Sequence, residues 1–293
     1  MSPSSREITI AHSPDSDDAF MFYGLATNKV RVPGLRFTHT LCDIETLNHA
    51  AMKGEGRYDV TAISFHAYPY VQHNYALLPT GGSVGDSYGP MIVSPHPITP
   101  DDVKNERIAV PGTLTTAFLT LKLFAPGAET TVVPFDQIIP QILEGKHRAG
   151  LIIHEGQLTY SKSGLFKVID LGKWWHDTQD LPLPLGGNVI KRSLGPQLMT
   201  QVAGAIRESI QHALENRDAA VEYAMQFARD LDRTLADKFV GMYVNERTLD
   251  YGDDGREAVR RLLEMGHHAG VIPHPAHIDW VDDGRPARTS MTA

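Results

Sequence analysis

Gly150-Leu151-Ile152-Ile153-His154-Glu155-Gly156-Gln157 places an imidazole directly after an apolar run. Ala149 to Ile153 are small or branched, which reads as a buried strand, and Gly156 ends the extended run. A strand that finishes on a histidine is how an open α/β sheet offers a side chain to a ligand at its carboxyl edge. Imidazole has the ordinary pKa nearest neutrality, so the chemistry would be proton transfer, with His154 as the base. A hydrogen-bonded histidine that merely closes a strand would leave the same pattern. Alternation along the strand puts Glu155 on the opposite face, where it is assigned no chemistry.

Three other stretches carry polar groups at strand ends. Pro14-Asp15-Ser16-Asp17-Asp18 follows a strand and opens a helix, where acids also serve as plain caps. Gly112-Thr113-Leu114-Thr115-Thr116 follows another strand and resembles an anion cradle of backbone N–H groups and hydroxyls at a helix start. Ser64 ends a third strand at the matching place. The aspartates have no calcium-loop spacing, and the fourteen histidines form no HExxH pair, so no metal is expected. No GxGxxG, Walker loop or GxSxG elbow occurs, so neither a nucleotide cofactor nor a hydrolase serine is expected.

The elements that must position these groups alternate. Strands are expected at Glu7 to Ser13, Leu35 to Leu41 and Asp59 to Ser64, with helices at Ala19 to Ala26 and from an Asp43 cap to Lys53. That order predicts right-handed crossovers and a parallel sheet. Leu77 to Val84 and Pro90 to Val93 read as further strands, and the three prolines in residues 94–100 as a link. The pattern then restarts: strands Arg107 to Pro111, Thr131 to Phe135, Ala149 to Ile153 and Leu165 to Leu171, helices Ala117 to Phe124 and Gln137 to Glu144. Residues 174–187 read as irregular, and Asn188 to Lys191 as a return strand. Leu198, Val202, Ile206, Ile210 and Leu214 keep helical spacing, and further helices follow as a packing layer. After Pro273 the chain reads as a surface tail. The expected architecture is two α/β lobes, 1–97 with 189–293 and an inserted 98–188, with a ligand cleft between them. The hinge is expected near residues 94–100 and 186–190.

The chain has 293 residues, 42% hydrophobic and 21% charged, with net charge −8. That supports a real core and argues against nucleic acid or an anionic membrane as partner. The single cysteine, Cys42, excludes an internal disulfide. The polar start and the lack of any transmembrane-length apolar run predict a cytoplasmic protein.

Taken together, several blocks closely resemble the 1,4-dihydroxy-6-naphthoate synthases of the futalosine route to menaquinone. They are Ser13-Pro14 with Asp18-Ala19-Phe20, Asp43-Ile44-Glu45-Thr46-Leu47-Asn48, Ala109-Val110-Pro111-Gly112 with Thr115-Thr116-Ala117, Gly150 to Glu155, Leu158-Thr159-Tyr160, and Leu181 to Gly186. The resemblance runs in order from about Ile8 to Ala269. It implies a type II periplasmic-binding-protein-like fold and a carbon–carbon lyase without a cofactor. The implied substrate, cyclic dehypoxanthine futalosine, is a small carboxylate-bearing molecule; the product is 1,4-dihydroxy-6-naphthoate. By motif match His154 is the base, Thr115 and Thr116 bind ligand, and Thr61, Ala62, Ile63 and Ser64 form the first-lobe binding strand. Asp18 and Tyr160 match cleft positions. One departure stands out: the family often has Cys-Pro-Asn where this chain has Asp15-Ser16-Asp17, and an added negative charge facing the ligand would repel a carboxylate. The alternatives are chorismate dehydratase of the same pathway and a small-anion solute-binding protein. The oligomeric state is left open.

Overall fold

The computed structural model describes residues 5–228 and 231–284. Eleven strands among these residues form two sheets: β1 Arg6–His12, β2 Leu35–Leu41, β3 Val60–Ser64, β4 Tyr75–Leu77, β5 Ser83–Gly85, β6 Met91–Ser94, β7 Arg107–Val110, β8 Glu129–Val132, β9 Ala149–Ile152, β10 Phe166–Asp170 and β11 Leu183–Lys191. The first sheet runs β2-β1-β3-β11-β4, with β5 also on β11; the second runs β10-β6-β9-β7-β8. Each sheet and the helices covering it form one lobe.

The crossovers β1–β2, β1–β3, β7–β8 and β7–β9 are parallel, as their intervening helices require. The strands that exchange between lobes are antiparallel: β11 against β3, and β6 against β9 and β10. Both sheets are therefore mixed rather than purely parallel. Sheet membership also divides the chain earlier than 97/98. β6 lies in the second sheet, so the chain crosses within residues 86–90. It returns between β10 and β11, before 188/189. The proline-rich residues 94–100 follow β6 within the second lobe.

Alternation explains how the second sheet is buried on both faces. Ile92, Ile108, Val110 and Leu151 pack on one side, while Met91, Val93, Ala109 and Ile152 pack on the other. In the first lobe Ile8, Ile10, Val60 and Ile190 meet Val202, Ile206 and Ile210 of the helix Pro196–Glu215. The apolar stripe at i, i+4 spacing is thus the core face of that helix.

Three local readings change. Leu77 to Val84 is two short strands, β4 and β5, rather than one. Residues 174–187 contain a helix, Leu171–Gln179, capped by Asp170, which accepts from Gly172 and Lys173 N–H. Its Trp175 is fully buried and donates Nε1–H to the Pro182 carbonyl at 3.0 Å. The prolines that made this stretch look irregular lie just beyond the helix. Of the expected surface tail after Pro273, residues 274–284 are docked, and residues 285–293 lie outside the described residues. Leu77 and Val281 N–H groups donate to Asp279 and Leu77 carbonyls at 2.9 and 2.8 Å, and Trp280 packs 4.9 Å from the Tyr251 ring. Arg256 lies 4.6 Å above the Trp280 ring. This segment protects the β4 edge.

Trp280→Ala should therefore cost about 2–3 kcal/mol of stability, toward the low side for an aromatic truncation because the residue is only half-buried. Urea denaturation checks this; an unchanged midpoint would return the segment to a mere tail.

Candidate functional site

The carboxyl ends of β1, β3, β7 and β9 point into the space between the sheets. That is where backbone order places ligand sites in α/β folds. The cavity there encloses about 750 Å³ including its mouth, within the usual range for a small-molecule pocket. Its walls come from both lobes.

His154 enters from the second lobe. β9 ends at Ile152, and His154 adopts a left-handed backbone with φ of 55°. That conformation is sparsely populated for a residue with a side chain, so local packing must hold it. The ring sits edge-on against Phe135, 5.0 Å between centroids. Its Nδ1 lies 3.1 Å from Asp15 Oδ2, a fully buried carboxylate of the first lobe. Its Nε2 is buried and has no hydrogen-bond partner among the described residues, and His154 lines the cavity. The turn at His154 also ends the alternation that would send Glu155 to the far face. Glu155 is buried instead and feels the charges of Asp15, His154 and Asp17.

Asp15, Asp17 and Asp18 all face this cavity, and Ser13 holds the first and the last of them. Ser13 N–H donates to Asp18 at 2.7 Å, and its Oγ donates to Asp15. The Ser13 carbonyl in turn accepts from His12 Nδ1 at 3.0 Å, and His12 Nε2 contacts His39 Nδ1 at 3.3 Å. A buried unpaired charge is costly, so groups here shift toward neutrality. Burial, with His39 adding to it, lowers His12 to about 3; burial lowers His39 to about 4. Burial, then the neighbouring Asp15, pushes Asp17 up to about 6. Burial and Asp17 hold Asp18 well above the usual carboxylate range. Glu155 rises to about 7, again mainly by burial. The added acids of the Asp15-Ser16-Asp17 departure thus do not put three full charges on the cavity. One faces an imidazole, and burial with Asp17 beside it biases Asp18 toward its neutral form.

Ala62, Ile63 and Ser64 of β3 line the cavity, whereas Thr61 is buried within the strand with its hydroxyl on the Ala62 carbonyl. Ser64 is clamped by Asn48, which accepts its N–H at 2.9 Å and donates to its Oγ at 3.1 Å. Tyr160 packs beside Met91 and Val93 on the second sheet, away from the cavity wall.

Thr115 and Thr116 do line the cavity, but their hydroxyls are already engaged. Thr115 Oγ1 caps the helix Thr116–Phe124 by accepting from Phe118 N–H at 3.1 Å, and it donates to the Gly112 carbonyl. Thr116 Oγ1 donates to the Leu185 carbonyl of β11 at 2.5 Å, across the lobes. The cradle also holds a carboxylate of the chain itself. Leu114 N–H donates to Glu45 oxygens at 3.2 and 3.3 Å. Glu45 comes from the helix Ile44–Met52 of the first lobe. A Cβ at Gly112 would stand 2.2 Å from the Glu45 carboxyl carbon, so only glycine permits this approach. The N–H groups of Thr116 and Ala117, in the first turn, have no intrahelical acceptor and remain for a ligand.

Some wall residues escaped the sequence reading. Phe239 and Tyr243, on the helix Arg233–Tyr243, close one side. The Tyr243 hydroxyl donates to Gln157 Oε1 at 2.7 Å, tying that helix to the His154 turn. Their i, i+4 spacing signalled only a packed face. Asp15 was visible as a departure from the family pattern, but sequence held no sign that it meets His154. No group of three His, Cys, Asp or Glu side chains among the described residues is arranged to hold a metal ion.

Asp17 gives a signed test. The folded protein binds its proton more tightly than the unfolded chain. That contribution to stability is full below about pH 4 and lost as pH rises through about 6. Asp17→Asn carries no such loss, so its stability relative to the parent should improve between pH 4.5 and 7.5 in urea titrations. A difference independent of pH would mean that Asp17 is not held as described.

The profile of the menaquinone biosynthesis family matches residues 8–268. A 1,4-dihydroxy-6-naphthoate synthase of Streptomyces coelicolor is 39% identical over 277 residues, 92% of this chain and 96% of the relative. One from Thermus thermophilus is 38% identical over 269 residues, 92% and 97% of the two chains. A solved protein of Archaeoglobus fulgidus superposes with a TM-score of 0.87 at 46% identity, covering 91% and 98%. An alkanesulfonate-binding protein of Xanthomonas axonopodis pv. citri superposes with a TM-score of 0.68 at 12% identity, covering 94% and 96%. At that identity it shows the periplasmic-binding-protein-like fold and nothing more.

Proposed function

The chain belongs to the menaquinone biosynthesis family, and from that premise we propose that it is a 1,4-dihydroxy-6-naphthoate synthase. It is a lyase that cleaves a carbon–carbon bond of cyclic dehypoxanthine futalosine and releases 1,4-dihydroxy-6-naphthoate. The observation that carries this reading is likeness along nearly the whole length of two relatives with that activity in their names. Chorismate dehydratase is not favoured, and the likeness to solute-binding proteins is one of fold alone. No helix among the described residues is long and apolar enough to cross a membrane. A cytoplasmic location goes with the reading.

The substrate lies between the lobes. Its carboxylate belongs near Ser64 and the N–H groups of Thr116 and Ala117, where backbone donors at a helix start favour an anion. Thr115 and Thr116 act there through backbone and cap rather than through free hydroxyls. The reacting part then faces His154, whose unpartnered Nε2 accepts a proton from a substrate hydroxyl or an acidic carbon. The electron pair passes into the bicyclic carbonyl system as the bond breaks. Closed walls exclude water from the intermediate. Asp18 supports the Ser13 turn; Tyr160 supports the second lobe from outside the cavity.

Purified protein given cyclic dehypoxanthine futalosine should release the naphthoate, detected by mass spectrometry, and should leave chorismate unchanged. Turnover of chorismate without naphthoate would overturn the assignment. A positioned base is worth about 10²–10⁴-fold. His154→Asn should therefore lose at least about 100-fold in kcat while substrate affinity stays within a few-fold. A folded variant with near-normal kcat would remove His154 from the chemistry.

A further inference from the structure

His154 and Asp15 come from different lobes. His154 follows β9 of the second sheet, and Asp15 follows β1 of the first. Their contact at 3.1 Å spans the cleft. Asp15 is fully buried, and its Oδ2 takes the Ser13 hydroxyl as well as the imidazole. A carboxylate oxygen that already takes a hydroxyl hydrogen is an acceptor, so at this distance it selects the imidazole tautomer with hydrogen on Nδ1. That leaves the lone pair on Nε2, the nitrogen buried at the cavity without a partner.

We propose that Asp15 is a positioning residue that fixes the proton of His154 on Nδ1 from across the cleft, so that Nε2 is set as the proton acceptor only when the two lobes are together. This rests on the reading of His154 as the base. Two further contacts hold the same closed arrangement: Glu45 on Leu114 N–H, and Thr116 on the Leu185 carbonyl. Closing on substrate would then orient the base and exclude water in one motion. After proton transfer the imidazolium faces a carboxylate, which stabilises it as charge develops. The other titratable groups facing the pair are Asp17 and Asp18 on the same turn, and Glu155 beside His154. With three carboxyls close by, loss of Asp15 would not leave the imidazole without acidic neighbours. It would remove the one carboxylate that meets Nδ1 directly.

The test is the tautomer itself. Two-bond ¹H–¹⁵N spectra of histidine-labelled, full-length protein should show His154 with Nδ1 protonated and Nε2 bare. Asp15→Asn should shift the population toward the Nε2-protonated form. It should lower kcat on cyclic dehypoxanthine futalosine at least about 100-fold, with KM within a few-fold. A wild-type spectrum with hydrogen on Nε2 overturns the proposal without any variant having to fold. So does an Asp15→Asn protein with unchanged tautomer and kcat, while wild-type turnover leaves the functional reading intact. If wild-type protein releases no naphthoate, the functional reading fails, and the spectrum alone still decides what Asp15 does.

Discussion

Four carboxyl groups and an imidazole are packed where the carboxyl edges of two sheets meet. Buried charge must be paired, neutralised or solvated, and the local structure satisfies that constraint. Asp15 takes His154 and the Ser13 hydroxyl. Asp18 takes the Ser13 N–H, and burial with Asp17 beside it pushes its carboxyl toward the neutral form. His12 and His39 are kept neutral by burial and fix the Ser13 carbonyl from behind. Ser13 is the point through which the first lobe fixes both Asp15 and Asp18 of its turn.

The same constraint explains why a two-lobe binding scaffold suits a lyase. A cleft that closes on a small anion already has donors on one wall and can exclude water. Here another wall carries a buried imidazole and the carboxylate that meets it, one from each lobe. Contacts through Glu45, Thr116 and Asp15 join the two lobes around that site. The likeness to an alkanesulfonate-binding protein shows how far the backbone plan is shared.

Much of the fold was legible because its elements are locally consistent. β2 matches the expected Leu35 to Leu41, and Asp43 caps its helix by accepting from Thr46 N–H at 3.0 Å. The helix Leu171–Gln179 was hidden because nearby prolines outweighed a short amphipathic run. The docked segment at Trp280 was hidden because its partner strand lies some 200 residues earlier in sequence, at Leu77. The site was legible as strand ends: His154, Ser64 and the Thr115–Thr116 turn all reach one cavity. The pairing of Asp15 with His154 was not, since it joins two lobes through a left-handed turn that residue type does not announce. Nor was Glu45 in the anion cradle, because a helix-surface glutamate and a cradle carry no sequence mark of their meeting.

The most direct measurement is a crystal structure with 1,4-dihydroxy-6-naphthoate bound. The account predicts the bicycle between the lobes, its carboxylate by Ser64 and the first turn of the helix Thr116–Phe124. It predicts a ring oxygen or the reacting edge within about 2.6–3.2 Å of His154 Nε2. A naphthoate seated outside the cleft, or in it with its carboxylate against Asp15 and Asp17 and its ring out of reach of Nε2, would contradict the account.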